Sequence, residues 1–237
     1  MTEVLQARGV AKRFGGIIAV RGVDLAVRQG ELLGLFGPNG AGKTTMFNLI
    51  AGAILPDAGQ VLLHGSDITR EPAWRRARLG IARSFQIVRP FRDLSVLENL
   101  LAAAPAAGQA NDATSALALL RRVGLEARAH DAAGDLTLGM LKRLEVARAL
   151  AVGPRLLLLD EPLAGLAGQE ATDLLRTVQA LKGRMAIVMV EHNVRLALPL
   201  CDRAVVMDAG AVLAEGTPEQ IRRDPAVIRA YLGSEAA

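Results

Sequence analysis

The sequence is poor in several residue types, and each scarcity narrows what the chain can be. One cysteine, Cys201, stands among 237 residues. No disulfide can form within the chain, a thiolate metal site lacks a second sulfur, and a reducing compartment is implied. The residue reads as a small member of the core. Aromatic residues make up 3% of the chain against 51% hydrophobic residues, so the core is aliphatic and disorder is excluded as the dominant state. The longest apolar stretches, such as 100–108 and 185–190, fall far short of the roughly 18 residues of a membrane span. The first residues, with Glu3, Arg8 and Lys12, lack the apolar centre and cleavage site of a secretory signal. A cytoplasmic chain is therefore expected. Basic residues exceed acidic ones, 28 to 24, for a net charge of +4. They are dispersed and form no basic 5–8-mer, so no nucleic-acid partner is expected.

What is present is a regular alternation. At about 150 residues per domain the length suits one large domain over 1–237, or a domain with an insert. Segments 4–10, 17–27 and 31–36 alternate between Gly-containing breaks and read as an antiparallel β unit. A helix from 43 to about 51 follows a Gly-rich loop, and short strands are expected at 60–64 and 81–83. From 94 to about 128 the pattern is helical and alanine-rich, with Ser95 and Glu98 spaced as a capping box and a Gly/Pro/Asn-bearing break at 105–112. With the helix expected at 140–152, this marks a helical subdomain at approximately 87–153.

Strand and helix then alternate: strand 155–160, helix 168–181, strand 185–191, a short helix at 194–200, a hairpin over 204–214 and two terminal helices, each with proline in its first turn. The runs Leu156-Leu157-Leu158-Leu159 and Met185-Ala186-Ile187-Val188-Met189-Val190 are apolar at every position. Such strands are buried on both faces of a mostly parallel sheet.

Gly37-Pro38-Asn39-Gly40-Ala41-Gly42-Lys43-Thr44 fits G-x-x-x-x-G-K-[ST], and Thr45 follows it. Backbone amides of such a loop cradle phosphates at a helix N-terminus. Lys43 supplies a point charge there and Thr44 a hydroxyl for Mg²⁺, so an α/β P-loop NTPase fold is expected. A second acidic site at the end of a buried strand is provided by Asp160-Glu161, Asp160 toward the metal and Glu161 as general base. The plainer reading makes the two acids a cap for the next helix.

With Gln86, residues 136–140 and His192, these motifs stand in the order of the nucleotide-binding subunits of ATP-binding cassette transporters, which the whole chain resembles. The resemblance implies an ATPase using ATP and Mg²⁺. It also implies a homo- or heterodimer with a second such subunit, each ATP lying between one phosphate loop and the other subunit's signature. Phe14 then stands at the adenine-stacking position, with a core phenylalanine as the alternative. Gln86 contacts Mg²⁺ and the attacking water, and His192 the γ-phosphate. Thr137 and Gly139 of the signature reach the partner's ATP.

The signature departs from Leu-Ser-Gly-Gly-Gln at Leu138 and Met140, and Ala167 replaces an expected Asp or Asn. The resemblance thus implies a competent site on this chain's own phosphate loop and a weaker one on its signature. Segments 78–86, 91–99 and 214–219, with Asp224-Pro225 and Ala230-Tyr231-Leu232-Gly233 after them, look like the ATPase of branched-chain amino acid importers. Those work beneath transmembrane permease subunits and are fed indirectly by a periplasmic solute-binding protein. This places the chain peripherally at the cytoplasmic face of the inner membrane, soluble when isolated. ATPases of urea, amide or aromatic-acid import and of lipopolysaccharide export are similar. A cassette ATPase acting on nucleic acid is a further alternative, against which stand the single cassette and the absence of sustained heptads.

Overall fold

The computed structural model describes residues 2–85, 88–103 and 112–234. The chain runs through β1 (Glu3–Phe14), β2 (Ile17–Arg28), β3 (Leu32–Phe36), α1 (Lys43–Ala51), β4 (Ala58–Leu63), β5 (Ser66–Asp67), α2 (Ala73–Arg78) and β6 (Ile81–Arg83). Helices α3 (Val96–Ala103), α4 (Ala113–Arg122) and α5 (Leu138–Ala151) lead to β7 (Leu156–Asp160). Then follow α6 (Gly168–Leu181), β8 (Ala186–Val190), α7 (Val194–Ala197), β9 (Arg203–Asp208), β10 (Ala211–Gly216), α8 (Pro218–Arg223) and α9 (Pro225–Ser234).

Two sheets result. One is four-stranded and antiparallel in the order β2-β1-β4-β5, and the other six-stranded in the order β10-β9-β3-β8-β7-β6. In the second only the β9–β10 hairpin is antiparallel. The expected third strand of the N-terminal unit does not join it, because β3 pairs parallel with β8 and β9. Its composition explains this. Leu32-Leu33-Gly34-Leu35-Phe36 is buried at every position, and a strand without a polar face belongs inside a sheet covered on both sides.

The pleat then sorts side chains between two cores. Leu33, Leu35, Leu156, Leu158 and Val188 pack with Met46, Phe47 and Ile50 of α1 and with the antiparallel sheet. Leu32, Phe36, Leu157, Leu159 and Ile187 face the helical side. Within the stretch expected to be helical, α3 and α4 meet α5 through Val96, Leu100, Leu120 and Leu144, and most of the expected break between them lies outside the described residues. The Ser95–Glu98 capping box forms, with Ser95 N donating to Glu98 Oε2 at 2.7 Å and Glu98 N to Ser95 Oγ at 3.2 Å.

Cys201 is a core residue as expected. A Cβ placed on Gly34 would lie 2.6 Å from its sulfur, and burial pushes the thiol up to about 12.

The sequence pattern did not reveal α2, which carries Arg76 with no exposed surface. Its guanidinium donates to the carbonyls of Leu49, Ile50, Thr69 and Glu71 at 2.7–2.9 Å. Two of these carbonyls, Leu49 and Ile50, lie at the C-terminus of α1, where a cation also meets the negative end of the helix dipole.

Candidate nucleotide site

Strands β3, β8, β7 and β6 lie side by side and parallel, so their carboxyl ends open onto one edge. Leu35 pairs with Val190, Val190 with Asp160, and Leu158 with Arg83. That register brings the Gly37–Thr44 loop, His192, Asp160-Glu161 and Arg83 to a common level. Open α/β sheets bind ligands at such an edge.

The loop leaves β3 and closes on α1 through glycines, two of which, Gly37 and Gly42, leave no room for a Cβ. Gly42, the N-cap of α1, has φ of 96°, and a Cβ there would lie 2.3 Å from the carbonyl oxygen of Ala19. At Gly40 φ is 77° but the Cβ meets nothing within 4 Å. Gly42→Ala is therefore expected to lower ATP affinity by at least about tenfold, since α1 must shift with its amides. Gly40→Ala costs only its backbone strain, about 1–2 kcal/mol. Equilibrium titration with a fluorescent ATP analogue checks the contrast, and equal affinities in the two variants contradict it.

Lys43 is buried, and its ammonium donates to the carbonyls of Gly37 at 2.7 Å and Pro38 at 2.8 Å. Burial pushes its amine below the ordinary lysine value, opposed by the charge of Glu161. Thr44 is exposed and Thr45 half-buried, with Pro38, Asn39 and Ala41 forming the rest of the wall. Tyr231, which no motif placed at this loop, accepts through its Oη in α9 from Gly37 N at 2.7 Å.

Asp160 ends β7 with its carboxylate 2.9 Å from Arg83 Nη2. Burial raises its carboxyl above the usual range, and Arg83 works against that rise. Ser84 Oγ accepts from Asp160 N at 3.2 Å. Glu161 Oε1 stands 2.7 Å from His192 Nε2. Neither acid caps the following helix, because α6 begins seven residues later with Ala167 as N-cap. The capping alternative thus fails on position. Gln86 lies outside the described residues.

An edge built from a phosphate loop, a buried aspartate and a Glu–His pair matches known proteins along its length. The family described as ABC transporter matches residues 20–164. This chain belongs to the ABC transporter family. A second family, branched-chain amino acid ATP-binding cassette transporter, matches residues 211–237. Over 249 residues the chain is 39% identical to the high-affinity branched-chain amino acid transport ATP-binding protein BraF of Pseudomonas aeruginosa, covering 97% of this chain and 98% of that one. It is 38% identical to the lipopolysaccharide export system ATP-binding protein LptB of Acidithiobacillus ferridurans, with 99% of each covered. A solved ATP-binding cassette of an ABC transporter in its ADP conformation has a TM-score of 0.91 at 31% identity, covering 98% of this chain and 100% of that one. The fold is accordingly that of a P-loop ABC ATPase, and the chain binds ATP.

Other positions expected for an ABC ATPase lie apart from this edge. Phe14 ends β1 in the antiparallel sheet, 49% exposed, with Lys12 Nζ 5.6 Å from its ring centroid. Its exposure rules out the core alternative. Thr137 caps α5 and donates from Oγ1 to Glu170 Oε1 at 2.7 Å, and Gly139 N donates to the same oxygen at 3.3 Å. A Cβ on Gly139 would lie 2.8 Å from the Glu170 side chain. That carboxylate on α6 was not legible in the sequence.

Proposed function

We propose that this ABC ATPase powers the import of branched-chain amino acids, with hydrolysis carried by Glu161 and His192. The observation behind the catalytic part is the 2.7 Å contact between Glu161 Oε1 and His192 Nε2. A carboxylate held there acts as general base toward a water beside the γ-phosphate, and the imidazole fixes its direction. Amides of residues 37–44 and the ammonium of Lys43 hold the β- and γ-phosphates. Thr44 and Asp160 offer two oxygen ligands, a sparse set that suits Mg²⁺, which keeps water and binds mainly to substrate phosphates. Gln86 is placed with the metal and the water by resemblance alone.

Adenine stacks on Phe14 in this reading. Phe14→Ala is expected to weaken ATP binding about tenfold, the lower range of base–aromatic stacking, while kcat at saturation stays near the parent value. A fall in kcat without a change in affinity contradicts that role.

A second ATPase subunit, identical or different, brings its own ATP to Thr137 and Gly139. Leu138 and Met140 make that shared site the weaker of the two. Helices α3–α5, within about 87–153, act as the helical subdomain, and permease subunits dock beside it. Phe85 and Phe91, more than half exposed on either side of the segment that follows β6, supply an apolar landing surface. No helix among the described residues is long and apolar enough to cross a membrane, which suits a peripheral place at the inner membrane. A periplasmic binding protein delivers the solute to the permease, so this chain never touches it.

The solute assignment draws on the match over residues 211–237 and on the likeness to BraF. Uptake of labelled leucine by cells lacking this chain, with and without its restoration, tests it. Unchanged leucine uptake together with a lipopolysaccharide export defect favours the second reading, which the likeness to LptB supports.

A further inference from the structure

Two buried charged side chains beside the catalytic pair have no part in the reading above. Lys142 of α5 is 5% exposed and Glu191, at the end of β8, is 2% exposed. Both touch a strained piece of backbone. Glu161 has φ of 45°, in the left-handed region that side-chain-bearing residues enter only at a cost and usually where function requires it. Its amide donates to the carbonyl of Val190 at 2.9 Å. Its own carbonyl accepts from Lys142 Nζ at 3.4 Å. Two residues further, Leu163 N donates to Glu191 Oε1 at 2.6 Å, and the other oxygen of Glu191 accepts from His192 N at 3.2 Å. The turn carrying Glu161 is therefore held on both sides, and Glu191 ties it to the loop carrying His192.

We infer that Lys142 and Glu191 are positioning residues for ATP hydrolysis: together they hold the left-handed backbone of Glu161 and so aim its carboxylate at His192 and the attacking water. Lys142 lies on the helix that Thr137 caps, so a displacement of α5 reaches the base of the same chain through one side chain. Its ammonium faces Glu191, Glu161, Asp160 and Glu145. Arg83 and Arg148 pair with Asp160 and Glu145 respectively, while Lys142 Nζ donates to the carbonyl of Glu161.

The test compares Lys142→Met with Lys142→Arg, and Glu191→Leu with Glu191→Gln. Each is measured for steady-state hydrolysis, ATP affinity by titration, and hydrogen exchange at the Leu163 amide. Lys142→Met is expected to lower kcat about 100-fold, the cost of a misplacement on the order of 1 Å. ATP affinity should stay within about threefold, because the phosphate loop is untouched. Glu191→Leu should do the same and speed exchange at Leu163 by about tenfold or more. The Arg and Gln variants should stay within about fivefold of the parent, since a guanidinium still donates to the Glu161 carbonyl and a carboxamide oxygen still accepts from Leu163.

Parent-like turnover in Lys142→Met overturns the inference, as does affinity falling in step with kcat. Should Lys142→Met not fold, equal turnover in Glu191→Leu and Glu191→Gln overturns it on its own. The inference rests on Glu161 as general base. Full hydrolysis in Glu161→Gln removes that premise, whereas an inactive Glu161→Gln beside a fully active Lys142→Met removes only the positioning roles.

Discussion

Glu161→Gln is expected to lower kcat by about 10²–10⁴-fold, the usual contribution of a positioned general base, with ATP affinity retained. The amide has nearly the volume of the carboxylate and still reaches His192, now 2.7 Å from Glu161 Oε1, but it cannot accept a proton from water. Lys43, Thr44 and Asp160 remain in place, so the nucleotide binds and is not turned over. Accumulated ATP-bound dimer, seen by light scattering with ATP but not ADP, is the second expected readout. Hydrolysis at the parent rate would show that another group takes the proton. A variant that loses ATP binding along with turnover would instead place Glu161 among the binding residues.

Arg76→Ala should destabilise the fold by about 3 kcal/mol. The guanidinium bonds four carbonyls at 2.7–2.9 Å, and at the end of α1 that of Ile50 loses this donor while that of Leu49 keeps only the amide of Gly52. Each buried polar group left unpaired costs about 1–3 kcal/mol, less whatever water entering the space restores. For a chain of this length that amounts to roughly 10 °C in melting temperature. Burial already pushes the Arg76 pKa down to about 10, so the cation is retained at neutral pH against a desolvation cost. Arg76→Lys should recover only part of the loss, because one ammonium cannot span carbonyls that a planar five-donor fork reaches. Thermal unfolding of the three proteins decides the matter, and a loss below about 1 kcal/mol in Arg76→Ala contradicts the capping role. Because α1 carries Lys43 and Thr44 at its other end, ATP affinity should fall with stability in this variant, unlike in Lys142→Met.

These two residues differ in how far the sequence disclosed them. Glu161 follows an unbroken leucine run, and its neighbour Asp160 completes a pattern tied to the phosphate loop, so spacing alone exposes it. Arg76 sits in a short segment, Ala73–Arg78, whose arginines at positions 75, 76 and 78 look like a solvated face. Nothing in its sequence says that one of them turns inward with no exposed surface. Tyr231 and Glu170 were hidden for the same reason. Their partners, the amide of Gly37 for one and the hydroxyl of Thr137 with the amide of Gly139 for the other, are distant in the chain, and no local pattern of side chains joins them.

Elements were legible where composition and geometry coincide. Continuous apolar runs gave β7 and β8, and the helix α6 was read with both ends correct. The placement of β3 was not, since glycine-bounded strands in succession suggest hairpins. Burial on both faces sends that strand into the parallel sheet instead.

By itself, the amino-acid sequence pointed to the groups proposed for the chemistry: the phosphate loop with Lys43 and Thr44, the Asp160-Glu161 pair, and His192. The loop and the acidic pair rest on residue type and spacing along the chain, and His192 on the family resemblance. Only the tertiary structure decided how they are held. Parallel pairing of β3, β8, β7 and β6 sets their ends level, and the left-handed turn at Glu161 is secured by Lys142 and Glu191. The physical reason is that such restraints are contacts between distant segments, satisfied by backbone carbonyls and amides that every residue carries alike.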